Sequence, residues 1–172
     1  MSQESDGDFA EYVSARLVRL HRTAYFLCGD TNTADDVVQA TLLSLYGRWR
    51  QARSVDNLDG YVYRIMTRRF LDLKRSRWSR VFLRDTVPER PYTPDDGYEE
   101  RSSVIAALQQ LPRGQRAILV LRYFSDLSVE ATAQALGCST GNVKSQSSRG
   151  LATLRTIMAA PEPAEARGRG GR

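Results

Sequence analysis

Ser128–Leu154 reads SVEATAQALGCSTGNVKSQSSRGLATL, two short helical patterns separated by a tight break. Ser128 suits the N-cap of the first, and Ala131, Ala135 and Leu136 give it a small-residue inner face. Gly137 falls where the chain must turn with positive φ, a conformation that costs glycine no Cβ clash. Ser139 or Thr140 can cap the second helix, whose apolar positions Val143, Leu151 and Leu154 keep helical spacing. Its outward positions, Asn142, Lys144, Ser145, Ser148 and Arg149, are hydrogen-bonders or cations. This is the pattern of a helix-turn-helix whose second helix enters a DNA major groove. Two ordinary bundle helices are the alternative; the turn glycine, paired caps and basic-polar outer face count against it.

Upstream, charge is sorted rather than mixed. The 172 residues carry a net +5. From Arg64 to Arg84 there are eight basic residues against one acid, Asp72; from Asp85 to Glu100 there are six acids against Arg90 alone. A basic block beside an acidic one favours a nucleic-acid surface with an attached segment that avoids or mimics its ligand. Two solvated faces would also account for either run taken singly.

The basic block lies on YVYRIMTRRFLDLKRSRW, a helix with Val62, Met66, Phe70 and Leu73 inward. Tyr61, Tyr63, Arg64, Arg68, Arg69, Lys74, Arg75, Arg77 and Trp78 interleave rings with cations, as single-stranded nucleic acid requires: bases stack while cations hold phosphates. Tyr61, Tyr63 and Trp78 could instead roof the core. The cation density has no such structural explanation, because like charges on one helix repel.

Before it, Phe9, Val13, Leu17, Leu20, Ala24 and Leu27 mark a first helix from Asp8, closed by Gly29-Asp30. Thr33 is placed to cap a second, TADDVVQATLLSLYGRW, with Asp35 and Asp36 in its first turn and Val38, Leu42, Leu45 and Trp49 inward. Its outer face, Asp35, Asp36, Gln39 and Leu43, reads as solvated or as a docking patch for a basic partner. Arg53–Gly60 is a polar loop. After Leu83 the prolines at 88, 91 and 94 and the run of acids define an extended linker. The predicted architecture is all-α: a disordered 1–7, a helical domain at 8–80, a linker at 81–100, a second helical domain at 101–158 and a low-complexity, disordered tail at 159–172.

Other chemistries find no residues to carry them. Cys28 and Cys138 are far apart and His21 is the single histidine, so no zinc-ligand spacing exists. No phosphate-binding glycine loop, HExxH motif or nucleophile–histidine set appears, which argues against an enzyme. The acidic start MSQESDGD is unlike a signal peptide, and the longest apolar run, Ala117 to Leu121, is far short of a membrane span. A soluble, cytoplasmic protein without membrane insertion is expected.

Three stretches together resemble a bacterial sigma factor of the extracytoplasmic-function (ECF, group IV) type. ADDVVQATLLSLYGRW is similar to region 2.2, GYVYRIMTRRFLDLKRSRW to regions 2.3–2.4, and LPRGQRAILVLRYFSDLSVEATAQALGCSTGNVKSQSSRGLATLR to region 4. The resemblance spans about residues 9–158 in the family's order. It implies a σ2 bundle of three or four helices and a σ4 helix-turn-helix, joined by a flexible acidic linker that threads the polymerase. It further implies docking of region 2.2 on the β′ clamp helices of core RNA polymerase through Asp35, Asp36, Gln39 and Leu42, with σ4 on the β flap. By the same likeness Val55, Asn57, Tyr61, Arg64 and Arg68, with Lys74 and Arg75 beyond them, read the −10 element as melted non-template strand. Asn142, Lys144, Ser145, Ser148 and Arg149 would read the −35 element as duplex. The expected partners are core polymerase, promoter DNA and an anti-sigma factor clamping apolar surface around Leu42 and Ala117–Phe124; no cofactor, metal or small-molecule substrate is implied. Gly150, within the recognition helix, costs about 1 kcal/mol of propensity relative to Ala. A stand-alone helix-turn-helix regulator and a DNA-free adaptor are the rival readings of the residues.

Overall fold

A computed structural model describes residues 3–80 and 98–160, with side chains over 5–73 and 101–160. Helices α1 (Gln3–Cys28), α2 (Thr31–Tyr46), α3 (Trp49–Ala52) and α4 (Leu58–Arg80) form the first half. The second comprises α5 (Tyr98–Gln109), α6 (Arg113–Leu119) running into a π-helical turn (Val120–Phe124), α7 (Val129–Leu136) and α8 (Thr140–Ala159). The described residues contain no strand, and the all-α reading holds.

Several boundaries differ from those predicted, each for a local reason. Helix α1 starts at Gln3, not Asp8. Its first turns are tied down by a hydrogen bond from Tyr46 Oη to Asp6 (3.2 Å) and by the Arg53–Asp8 ion pair (2.9 Å), and Ser5 is buried. Helix α2 is capped by Asp30 rather than Thr33: Asp30 is extended (φ −142°, ψ 150°) and its carboxylate accepts from Thr33 N at 2.8 Å. Asp35 and Asp36 therefore lie beyond the first turn. A break at Gly47-Arg48 transfers Trp49 to α3, still buried. Asn57 caps α4, its Oδ1 accepting from Gly60 N at 2.8 Å, so this helix starts at Leu58. Helix α5 begins at Tyr98, inside the expected linker. Residues 1–2, linker residues 81–97 and tail residues 161–172 lie outside the described residues.

In the first half Leu20, Ala24 and Leu27 of α1 meet Val37, Val38 and Leu45 of α2 and Val62, Met66 and Phe70 of α4, all buried. Fully burying a side chain such as Phe70 or Leu45 contributes about 1.5–3 kcal/mol. The cluster does not stop there: it runs without interruption into Leu108, Leu111, Ala117, Leu119, Val120 and Leu121 of the second half. The rings of Phe26 and Phe124 stack with centroids 4.1 Å apart across this seam. Polar groups finish it. Thr23 Oγ1 and Ser125 Oγ lie 2.9 Å apart, Arg19 Nη2 donates to Ser125 O (2.9 Å), and Thr67 Oγ1 reaches Ala135 O (3.3 Å).

Arg116 closes the seam from the other side. Its Nη1 donates to Leu27 O (2.9 Å) and Gln109 Oε1 (2.6 Å), and its Nη2 to Gln109 O (3.0 Å) and Leu111 O (3.2 Å). The guanidiniums of Arg113 and Arg116 lie 5.4 and 5.7 Å from the Phe70 ring centroid. Ala117–Phe124 was expected as exposed apolar surface for a partner; Ala117–Leu121 is instead buried, where α6 and the π-helical turn join the core, and Phe124 is half-buried, while Tyr123 is exposed.

Candidate nucleic-acid interface

The helix-turn-helix forms from the caps named above. Ser128 Oγ accepts from Ala131 N at 3.0 Å and Ser139 Oγ from Asn142 N at 3.1 Å, so Ser139 rather than Thr140 caps α8. Gly137 turns at φ 67°, ψ 39°. Val143 is sealed between Ile118 and Ala133. Gly150 finds its reason here: a Cβ would sit 3.2 Å from Leu119 Cδ1, so its absence lets α8 close on α6. Gln115 Nε2 donates to Gln146 Oε1 (3.1 Å) beside that contact.

Asn142, Lys144, Ser145, Ser148 and Arg149 are all exposed on α8. Ser145 Oγ donates to Asn142 O at 3.2 Å. Among the described residues the side chains of Asn142, Lys144, Ser148 and Arg149 have no hydrogen-bond or ion-pair partner, leaving their donors and acceptors to solvent or a ligand.

A second polar face lies on α4 and the loop before it. Tyr61, Arg64 and Arg68 fall at steps of three and four along one stripe; Tyr61 is half-buried and both arginines are exposed. Neither guanidinium has a partner among the described residues. Val55 and Asn57 are exposed in the adjoining loop, though the Asn57 carbonyl oxygen is committed to capping α4. Arg69 points elsewhere, to Ser44 Oγ at 2.6 Å. Tyr63 is buried, so of the two alternatives for this ring, core packing is correct. Lys74, Arg75 and Trp78 belong to α4, with side chains outside the described ones.

On α2, Asp36 and Gln39 are exposed, and Leu43 beside them is 73% exposed. Leu42 is half-buried, packed against the core. Asp35 Oδ1 lies 3.1 Å from His21 Nδ1. Asp36, Gln39 and Leu43 thus share the exposed face of α2.

Two groups escaped the sequence reading. Tyr12 Oη (2.8 Å) and Arg16 Nε (2.5 Å) both donate to Asp59 Oδ1, in the first turn of α4. Burial, then the Asp59 bond, pushes the Tyr12 phenol up. The i, i+4 spacing of Tyr12 and Arg16 was the available clue, but nothing local points to Asp59. Arg116 is the other: a cation at the head of an apolar run, held by carbonyls that carry no sequence signature. Cys28, half-buried and reduced, has its thiol pushed up to about 12 by burial and then Asp30. Among the described residues no three His, Cys, Asp or Glu side chains converge as metal ligands, and no helix is long and apolar enough to cross a membrane.

The described residues thus carry two exposed polar faces, one on a helix-turn-helix and one on a helix with an adjoining loop. Residues 12–80 match sigma-70 region 2 and residues 101–154 match sigma-70 region 4. The chain belongs to the sigma-70 family, as a sigma factor of the ECF group. It is 36% identical over 156 residues to the RNA polymerase sigma-E factor of Streptomyces coelicolor, covering 89% of this chain and 87% of that one. It is 33% identical over 159 residues to the ECF RNA polymerase sigma factor ShbA of Streptomyces griseus, covering 85% and 79% respectively. Among solved structures it resembles the sigma factor RpoE of Bartonella quintana in complex with the anti-sigma factor NepR. That match has a TM-score of 0.70 and 26% identity, covering 88% of this chain and 96% of RpoE.

Proposed function

We propose that this chain directs core RNA polymerase to promoters, holding the −35 element as duplex on α8 and an unpaired −10 strand on α4. The observation that supports this most is the presence of two exposed cationic faces on one continuous core, with the side chains of Arg64, Arg68, Lys144 and Arg149 making no hydrogen bond or ion pair among the described residues. A duplex reader needs a helix standing clear of its supports, which α8 does through Asn142, Lys144, Ser145, Ser148 and Arg149. A single-strand reader needs a ring for stacking and cations for phosphates, which Tyr61, Arg64 and Arg68 supply beside Val55 and Asn57. Lys74 and Arg75, further along α4, add to the basic count. Flipping a base costs a few kcal/mol, offset by stacking and phosphate contacts in the pocket.

Few cations face the duplex on α8, so binding by the free chain is weak; polymerase supplies the missing affinity by holding both faces on one DNA. Asp35, Asp36, Gln39 and Leu42, with exposed Leu43, form the surface for the β′ clamp helices, and region 4 meets the β flap. The chain acts in the cytoplasm, performs no catalysis itself and needs no cofactor. An anti-sigma factor holds it inactive, a reading supported by the likeness to RpoE in its NepR complex and by the apolar exposure at Leu43. Run-off transcription tests the proposal. Purified chain plus core polymerase should give promoter-dependent transcripts, whereas tight duplex binding by the chain alone with no effect of core polymerase would contradict it.

A further inference from the structure

We propose that Tyr12 and Arg16 of α1, acting through Asp59, are positioning residues for capture of the unpaired −10 strand. The proposal rests on assigning that strand to the face of Val55, Asn57, Tyr61, Arg64 and Arg68. Asp59 precedes Tyr61 by two residues, about 200° around the helix, so it lies on the side of α4 away from the reading stripe. There both donors converge on one carboxylate oxygen, at 2.8 and 2.5 Å. The Arg16 guanidinium also lies 4.3 Å over the Tyr12 ring, which leans on Trp49 of α3 at 5.5 Å.

The other end of the same loop is fastened to the same helix. Arg53, directly after α3, pairs with Asp8 at 2.9 Å, and Phe9 meets Trp49 edge-on at 5.2 Å. The loop 53–57 is therefore held at both ends by α1, while its middle, with Val55, stays exposed. Each pair is partly exposed and adds little to folding stability. Its effect lies elsewhere: a loop already fixed at its ends loses less freedom when a base enters, and unfastening it returns that cost to the binding step. Asp59 is thus the hinge pin of the reading loop, and α1 the frame that carries it.

The test uses the full chain on core polymerase. The probes are a fork-junction DNA with an unpaired −10 non-template strand, taken from a promoter that the wild-type holoenzyme transcribes, and the same DNA with an abasic site scanned through that strand. Wild type should show one position where removing the base weakens binding. Tyr12→Phe, Arg16→Gln and Asp59→Asn should each weaken the intact probe about tenfold and abolish the abasic penalty. Tyr12→Phe added to Asp59→Asn should cost nothing further. Affinity for core polymerase and −35 duplex binding should not move, and the thermal midpoint should fall by no more than about ten degrees. An intact abasic penalty in all three variants, or equal losses on the −35 duplex, would overturn the proposal. Arg64→Ala with Arg68→Ala separates the two levels. If that pair weakens the probe while the three α1–Asp59 variants do not, only the positioning role fails. If it does not, or if no abasic position matters in wild type, the face assignment falls and the positioning role with it.

Discussion

The face on α8 and the face on α4 are supported in opposite ways. Most of what presents α8 lies nearby in the chain: caps at Ser128 and Ser139, the left-handed Gly137 and buried Val143, with α6 as the supporting helix through Gly150 against Leu119 and Gln115 on Gln146, a separation of 31 residues. The loop and first turn beside the α4 face are instead tied to groups over forty residues away, Tyr12 and Arg16 on Asp59 and Asp8 on Arg53, with sequence separations of 47, 43 and 45. Duplex DNA has a regular groove, and a rigid helix suffices to enter it. An unpaired strand has no fixed shape, so the protein must supply the order through a loop held from outside. Local scaffolding suits a shape that already exists; long-range scaffolding suits one that must be made.

The largest expected effect concerns the seam joining the two faces. Arg116→Ala removes four hydrogen bonds to Leu27 O, Gln109 Oε1, Gln109 O and Leu111 O and orphans buried carbonyls. A loss of about 2–4 kcal/mol in urea unfolding is expected. A loss below 1 kcal/mol would mean that the halves hold together without it. Gly150→Leu comes next. It forces side-chain bulk onto Leu119, should cost about 1–3 kcal/mol, and should weaken −35 duplex binding by holoenzyme while sparing the unpaired strand. If both DNA activities fall together, α8 is not supported separately as described.

Ser139→Ala removes the cap of α8 for about 1 kcal/mol, again seen at the −35 element alone. Smallest in energy is a chemical contrast. With its thiol held near 12, Cys28 stays neutral at pH 8 and should react with a disulfide reagent at least about tenfold slower folded than in urea. The sign follows: an acid raised by folding favours the folded state below its unfolded value, and this contribution is lost as pH climbs toward 12. Equal rates folded and unfolded would place Cys28 in solvent.

The same contrast explains what the sequence could disclose. Caps, a turn glycine and an apolar period are neighbours in the chain, so α7, α8 and their outward residues were legible. On α4 the density of cations among rings was legible, but the grouping of Tyr61, Arg64 and Arg68 came only through the family resemblance, and Tyr63 was ambiguous because ring–cation interleaving looks alike on a core roof and a stacking platform. Asp30 and Thr33 are both good capping residues, and only the extended backbone at Asp30 decides between them. The clasp on Asp59 and the carbonyl cage of Arg116 were not legible. Their partners are distant in sequence or belong to the main chain, which every residue has.

One measurement bears most directly on the division of labour between α4 and α8. Holoenzymes carrying Arg64→Ala with Arg68→Ala, or Lys144→Ala with Arg149→Ala, would be titrated against an unpaired −10 strand and against a −35 duplex over a range of salt. The α4 pair should weaken the unpaired strand and flatten its salt slope by about one to two while leaving the duplex unchanged, and the α8 pair should do the reverse. Equal losses on both DNAs from either pair would contradict the assignment of one face to each.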